Sequence, residues 1–89
     1  SKLDDYAPVS LDDLFKYKTL QEETTRVELL SDILASLIKA NDEVLASLNK
    51  VFTIANADKQ QGICNFIADR IDTHQKHAWF LRASAKKIG

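Results

Sequence analysis

His74 and His77 stand three residues apart, so on a helix they share a face and their ring nitrogens could together hold a divalent metal. No third donor lies near them in sequence, and the plainer roles are a hydrogen-bonded histidine inside a helical bundle and a histidine at its surface or at an interface. Cys64 has no adjacent histidine or basic residue to stabilise a thiolate, and is expected to act as a small buried hydrophobe rather than a nucleophile. Asp72 and Lys76 have the i,i+4 spacing of a modest surface ion pair. Lys86 and Lys87, with Lys76 and Arg82 before them, form a basic C-terminal end that could hold phosphates, including those of DNA, without sequence preference. Four charges are few for that at physiological salt. Favourable charge at a helix C-terminus, followed by Gly89, explains them as well.

Helices must position all of these residues. Only two Gly and one Pro interrupt 89 residues, a scarcity of breakers that favours long helices over a turn-rich β fold. Residues 1–10 are expected to be an irregular lead-in with Tyr6 as its one large anchor, and Ser10 with Asp13 approximates a capping box for a short helix carrying Leu11 and Leu14. Apolar residues then recur at Val27, Leu30, Leu34, Leu37, Ile38, Leu45, Leu48 and Phe52, which predicts one long amphipathic helix over about 19–50. Between Thr53 and Gln61 the periodicity fails, and Asp58 is the expected N-cap of a second helix over about 58–85. Ile63, Phe66, Ile67, Ile71, His74, Ala78, Leu81 and Ala85 form its expected inner face.

Both apolar stripes are broader than a two-helix hairpin requires, because Leu29, Ile33 and Val44 flank the first and Phe80 flanks the second. The surplus points to further helices, from a second copy or a separate segment. No internal repeat and no heptad seam is apparent.

The rest of the composition excludes several classes. At 45% hydrophobic and 28% charged residues the chain is globular rather than disordered. A single cysteine rules out a disulfide scaffold, and a reducing cytoplasmic setting is expected. No apolar run is long enough to cross a bilayer, and the N-terminus lacks signal-peptide character, so no membrane association is expected. Residues 1–45 hold ten acids against five bases and residues 46–89 three against seven, an asymmetry that a solvated surface explains as well as electrostatic steering does.

Asn65 to Ala83 contains Arg70-Ile71-Asp72-Thr73-His74-Gln75-Lys76-His77-Ala78-Trp79-Phe80-Leu81-Arg82. This run closely resembles the last helix of subunits of the Dps family (DNA protection during starvation), mini-ferritins whose pattern there is Arg-Ile-Asp-x-His-Glu-Lys-x-Ala-Trp-Met-Leu-Arg. Asp32-Ile33-Leu34-Ala35 and Asn41-Asp42-Glu43-Val44-Leu45 resemble the preceding helix, and Leu3-Asp4-Asp5-Tyr6 with Pro8 resembles the segment that enters it. The departures are Gln75 for Glu, His77 for a small residue, Phe80 for Met, and Ala7 inside the usual Tyr-Pro pair.

The resemblance implies an all-α chain of two long antiparallel amphipathic helices and a short N-terminal helix, forming the C-terminal half of a ferritin-like four-helix bundle. It also implies a family that oxidises Fe(II) with hydrogen peroxide, stores ferric mineral in a dodecameric cage and often shields DNA. Expected partners are therefore the N-terminal half of the subunit, further copies of the chain, and DNA bound nonspecifically. The family's ferroxidase ligands, two His and two carboxylates, lie on the first two helices, and nothing in this chain aligns with them. Nor does any Glu-x-x-His pair of the kind bundle di-iron sites use appear. The resemblance gives Asp58 a possible place at the threefold pores through which iron enters, against a plain N-cap. It gives Trp79 a possible radical-quenching role, against ordinary core packing. The alternative to iron chemistry is a self-associating helical bundle without metal.

Overall fold

The computed structural model describes residues 10–89, which form two antiparallel helices, α1 (Leu11–Ala57) and α2 (Gln61–Ile88). The all-α fold class expected from the sequence is what is found. The segment around Tyr6 and Pro8 lies outside the described residues.

Ser10 caps α1 as its spacing predicts: the Asp13 backbone N–H donates to Ser10 Oγ at 3.1 Å, and Asp12 and Asp13 face the positive end of the dipole. The helix then runs unbroken for 47 residues, about 70 Å at 1.5 Å per residue. A separate short helix before residue 19 is thus corrected to the first turns of α1. No Gly or Pro intervenes, and Thr24 Oγ1 donates to the Leu20 carbonyl at 2.9 Å within the helix. Past residue 50 Phe52 and Ala55 are half-buried and buried against α2, and that burial keeps α1 helical to Ala57, with Asn49 donating to the Leu45 carbonyl and Thr53 to the Asn49 carbonyl along the way.

Asp58 is the C-cap of α1, not the N-cap of α2. Lys59 adopts the left-handed conformation (φ 57°), its N–H donating to the Asn56 carbonyl at 3.1 Å while the Gln60 N–H donates to the Ala55 carbonyl at 2.9 Å. These two bonds are a Schellman motif, and they use up the carbonyls that the end of α1 would leave unpaired. The motif consumes residues 58–60, so α2 starts at Gln61 and ends at Ile88, three residues later at each end than the periodicity suggested. Gln60, at its N-cap position, makes no side-chain capping bond and instead donates from Nε2 to Asp58 Oδ2 at 3.1 Å.

The helices meet along a strict alternation of three and four residues. On α1 the buried and half-buried positions are Ser31, Leu34, Ile38, Asn41, Leu45, Leu48, Phe52 and Ala55; on α2 they include Cys64, Ile67, Ile71, His74, Ala78, Leu81, Ala85 and Ile88. This is a heptad seam, contrary to the expectation of none. Ser31 and Asn41 occupy seam positions on α1, and their polarity breaks the repeat there for any reading that follows apolar residues alone. A second correction follows. Ile63 and Phe66, assigned to the inner face, are 48% and 66% exposed, and Cys64 takes the seam place in the first turns of α2.

Candidate functional site

The most ordered polar cluster lies in the middle of the seam. Asn41 is buried, and its Nδ2 donates to the His74 backbone carbonyl at 2.9 Å. That bond turns the amide oxygen toward the imidazole, where Oδ1 sits 2.9 Å from His74 Nδ1. An amide oxygen can only accept, so Nδ1 carries a proton in this pair. The His77 ring stands edge-on to that of His74, with centroids 5.4 Å apart and planes at 84°. The two histidines are therefore neighbours, as their spacing predicts, and His74 is the hydrogen-bonded bundle histidine.

Asn41 is the participant that the spacing of chemistry-bearing residues does not reveal. Its signal is an amide in an otherwise apolar row, level with a histidine in the facing row. A second unforeseen link joins the helices: Arg82 donates from Nη2 to Asp42 Oδ2 at 2.7 Å, between side chains about half exposed. The Asp72–Lys76 pair forms at 3.2 Å on the exposed side of α2.

The remaining candidates are dispersed along the hairpin. Asp58 is exposed at the turn, and Cys64 is buried in the seam close by in sequence. Trp79 is 69% exposed, one residue past the seam position Ala78, in a row with Arg82 and Lys86; it takes no part in the core these two helices make. Lys86 and Lys87 occupy the last turn of α2, where the Gly89 N–H donates to the Ala85 carbonyl at 3.0 Å. Among the described residues no three His, Cys, Asp or Glu side chains come together as a metal site, and no helix is long and apolar enough to cross a membrane.

A family model for the ferritin-like domain matches residues 2–89. The chain belongs to the ferritin-like domain family. Comparison with curated proteins and with solved structures gives no match.

Ferritin-like proteins generally handle iron, so the donors on this ferritin-like hairpin can be tested against a di-iron centre. They do not fit one. Such a centre needs several carboxylates converging with histidines inside the bundle, whereas the described residues offer one imidazole Nε2 in the seam, a second imidazole beside it and no carboxylate joining them.

Proposed function

We propose that the chain is a Dps-type mini-ferritin segment, contributing two of the four bundle helices to a cage that oxidises Fe(II) with peroxide and stores the product in the cytoplasm. The observation that carries this reading is the run Arg70–Arg82 on α2, with the ferritin-like match over nearly the whole chain behind it. In this reading the hairpin's task is architectural. The seam holds α1 and α2 in phase, and the ferroxidase ligands come from helices other than α1 and α2. Asp58, at the exposed turn, is where iron entering a pore would meet a carboxylate.

The test is reconstitution. Any segment encoded upstream of Ser1, produced separately and mixed with this chain, is expected to give Fe(II) oxidation by peroxide well above the rate in buffer. A mixture that folds yet oxidises iron no faster than buffer overturns the reading. A second reading, a helical assembly protein without metal chemistry, is favoured by the dispersed donors, and it predicts the buffer rate in every combination. DNA shielding belongs to the first reading alone. If Lys86 and Lys87 serve it, duplex binding falls steeply with added salt and is lost when both are replaced by Ala.

A further inference from the structure

A compact monomer of 10.0 kDa exposes about 5,200 Å², whereas this chain exposes 7595 Å². Part of the excess lies on one open face. One residue before each seam position both helices carry a second row, and in an antiparallel pair that step turns the side chains of both toward the same side of the hairpin. On α1 this row runs from Leu30 to Ile54 and is apolar except for Ser47. On α2 it is mostly polar. A ferritin-like four-helix bundle closes the face with its other two helices, so each polar group on the α2 row must find a partner there or already have one.

Most already do. Thr73 Oγ1 donates to the Asp69 carbonyl at 3.2 Å and Ser84 Oγ to the Phe80 carbonyl at 2.8 Å, both within their own helix. Lys87 stands in the last turn of α2, where a long side chain can carry its ammonium to water past the end of a bundle. A histidine, as at position 77, can enter an enclosed site neutral. Arg70 has no such escape, because a guanidinium stays charged and offers five N–H donors. It is half-buried already, neither row of the open face contains an acid, and among the described residues no ion pair engages it.

We propose that the segment closing this face carries a carboxylate within its own apolar row, and that this carboxylate receives Arg70. A guanidinium taken from water without a counter-charge is strongly destabilising. A carboxylate is the acceptor whose two oxygens match its fork. The pair also fixes the register of the closing helix. Sliding that helix by one turn, about 5.4 Å, parts the two charges, whereas the apolar α1 row distinguishes poorly between registers. This inference rests on the bundle reading of the chain and not on iron chemistry.

The experiment mixes the full chain with the segment encoded immediately upstream of Ser1 and reads the dissociation constant by calorimetry, without iron. Each Asp and Glu of that segment is changed singly to Asn or Gln. One such change is expected to weaken the complex about tenfold or more with the parent chain, and to have no effect with Arg70→Met. Should Arg70→Met lose helix on its own, Arg70→Lys takes its place: it keeps the charge without the fork, and the effect of that same carboxylate should shrink. A complex in which no carboxylate couples to Arg70 overturns the inference and leaves the bundle reading standing. A segment that does not bind the chain at all overturns both.

Discussion

The first twenty residues of α1 and the last twenty-seven belong to one unbroken hydrogen-bonded helix, yet only the second part has anything beside it. From Ser31 onward every three or four residues a side chain is buried or half-buried against α2; from Leu11 to Leu30 every residue is exposed, including Leu14, Phe15, Tyr17 and Leu20. Local preferences hold the N-terminal arm: the Ser10 cap, the acids of the first turn, and the Gln21–Tyr17 and Thr24–Leu20 bonds one turn apart. Tertiary burial holds the seam. Isolated helices gain little from local terms alone, so the two halves of α1 should differ sharply in stability although their backbones are alike.

The most damaging way to probe that difference is a core deletion. Leu34→Ala should cost about 2–4 kcal/mol in urea or thermal unfolding, because it empties a seam position that is only 8% exposed. The matched change in the arm, Leu20→Ala, should stay within about 0.5 kcal/mol. Equal costs would mean that the arm is packed after all.

Next comes the polar layer. Asn41→Ala should cost about 1–3 kcal/mol, since it leaves the His74 carbonyl and the Nδ1–H without their partner inside the seam. An Nδ1–H proton signal from His74 is expected by NMR in the parent chain, and it should disappear in the variant.

Ser10→Ala is expected to remove about 1 kcal/mol of local helix stability. The effect should be confined to the arm: amide exchange should quicken over the first turns of α1 and stay unchanged at Leu34 or Leu45. The smallest effect has the opposite sign. A Cβ on Gly62 would meet nothing within 4 Å, so Gly62→Ala should stabilise α2 by about 0.5–1 kcal/mol, measured as a raised melting temperature.

Apolar periodicity sufficed for two antiparallel helices and for Leu34, Ile38, Ile67, Ala78 and Leu81 along their contact. It failed where a polar side chain does an apolar one's task. Ser31 and Asn41 fill seam positions that the apolar row passes over, Asn41 because the His74 ring and carbonyl satisfy its amide, a tertiary fact that no local pattern carries; His74, by contrast, was expected on the inner face and is found there. The helix ends shifted for a related reason. Asp58 has the chemistry of an N-cap, but the left-handed Lys59 makes it the last residue of the helix before, and left-handed lysines have no sequence signature. Of the site, the His74–His77 neighbourhood and the Asp72–Lys76 pair were legible from spacing alone. The Asn41 and Asp42 links were not, because their partners lie 33 and 40 residues away in the chain.

A seam that repeats every seven residues falls short of the 7.2 that two straight turns of helix would need, by about 20° per heptad. To keep Ser31 through Ala55 against Cys64 through Ile88, the two helices must wind about each other with a left-handed supercoil. The open row beside the seam shares that repeat, and so it spirals around the hairpin as a ribbon. A straight rod laid on it would lose contact within a few heptads, and any bundle mate must coil with the same hand.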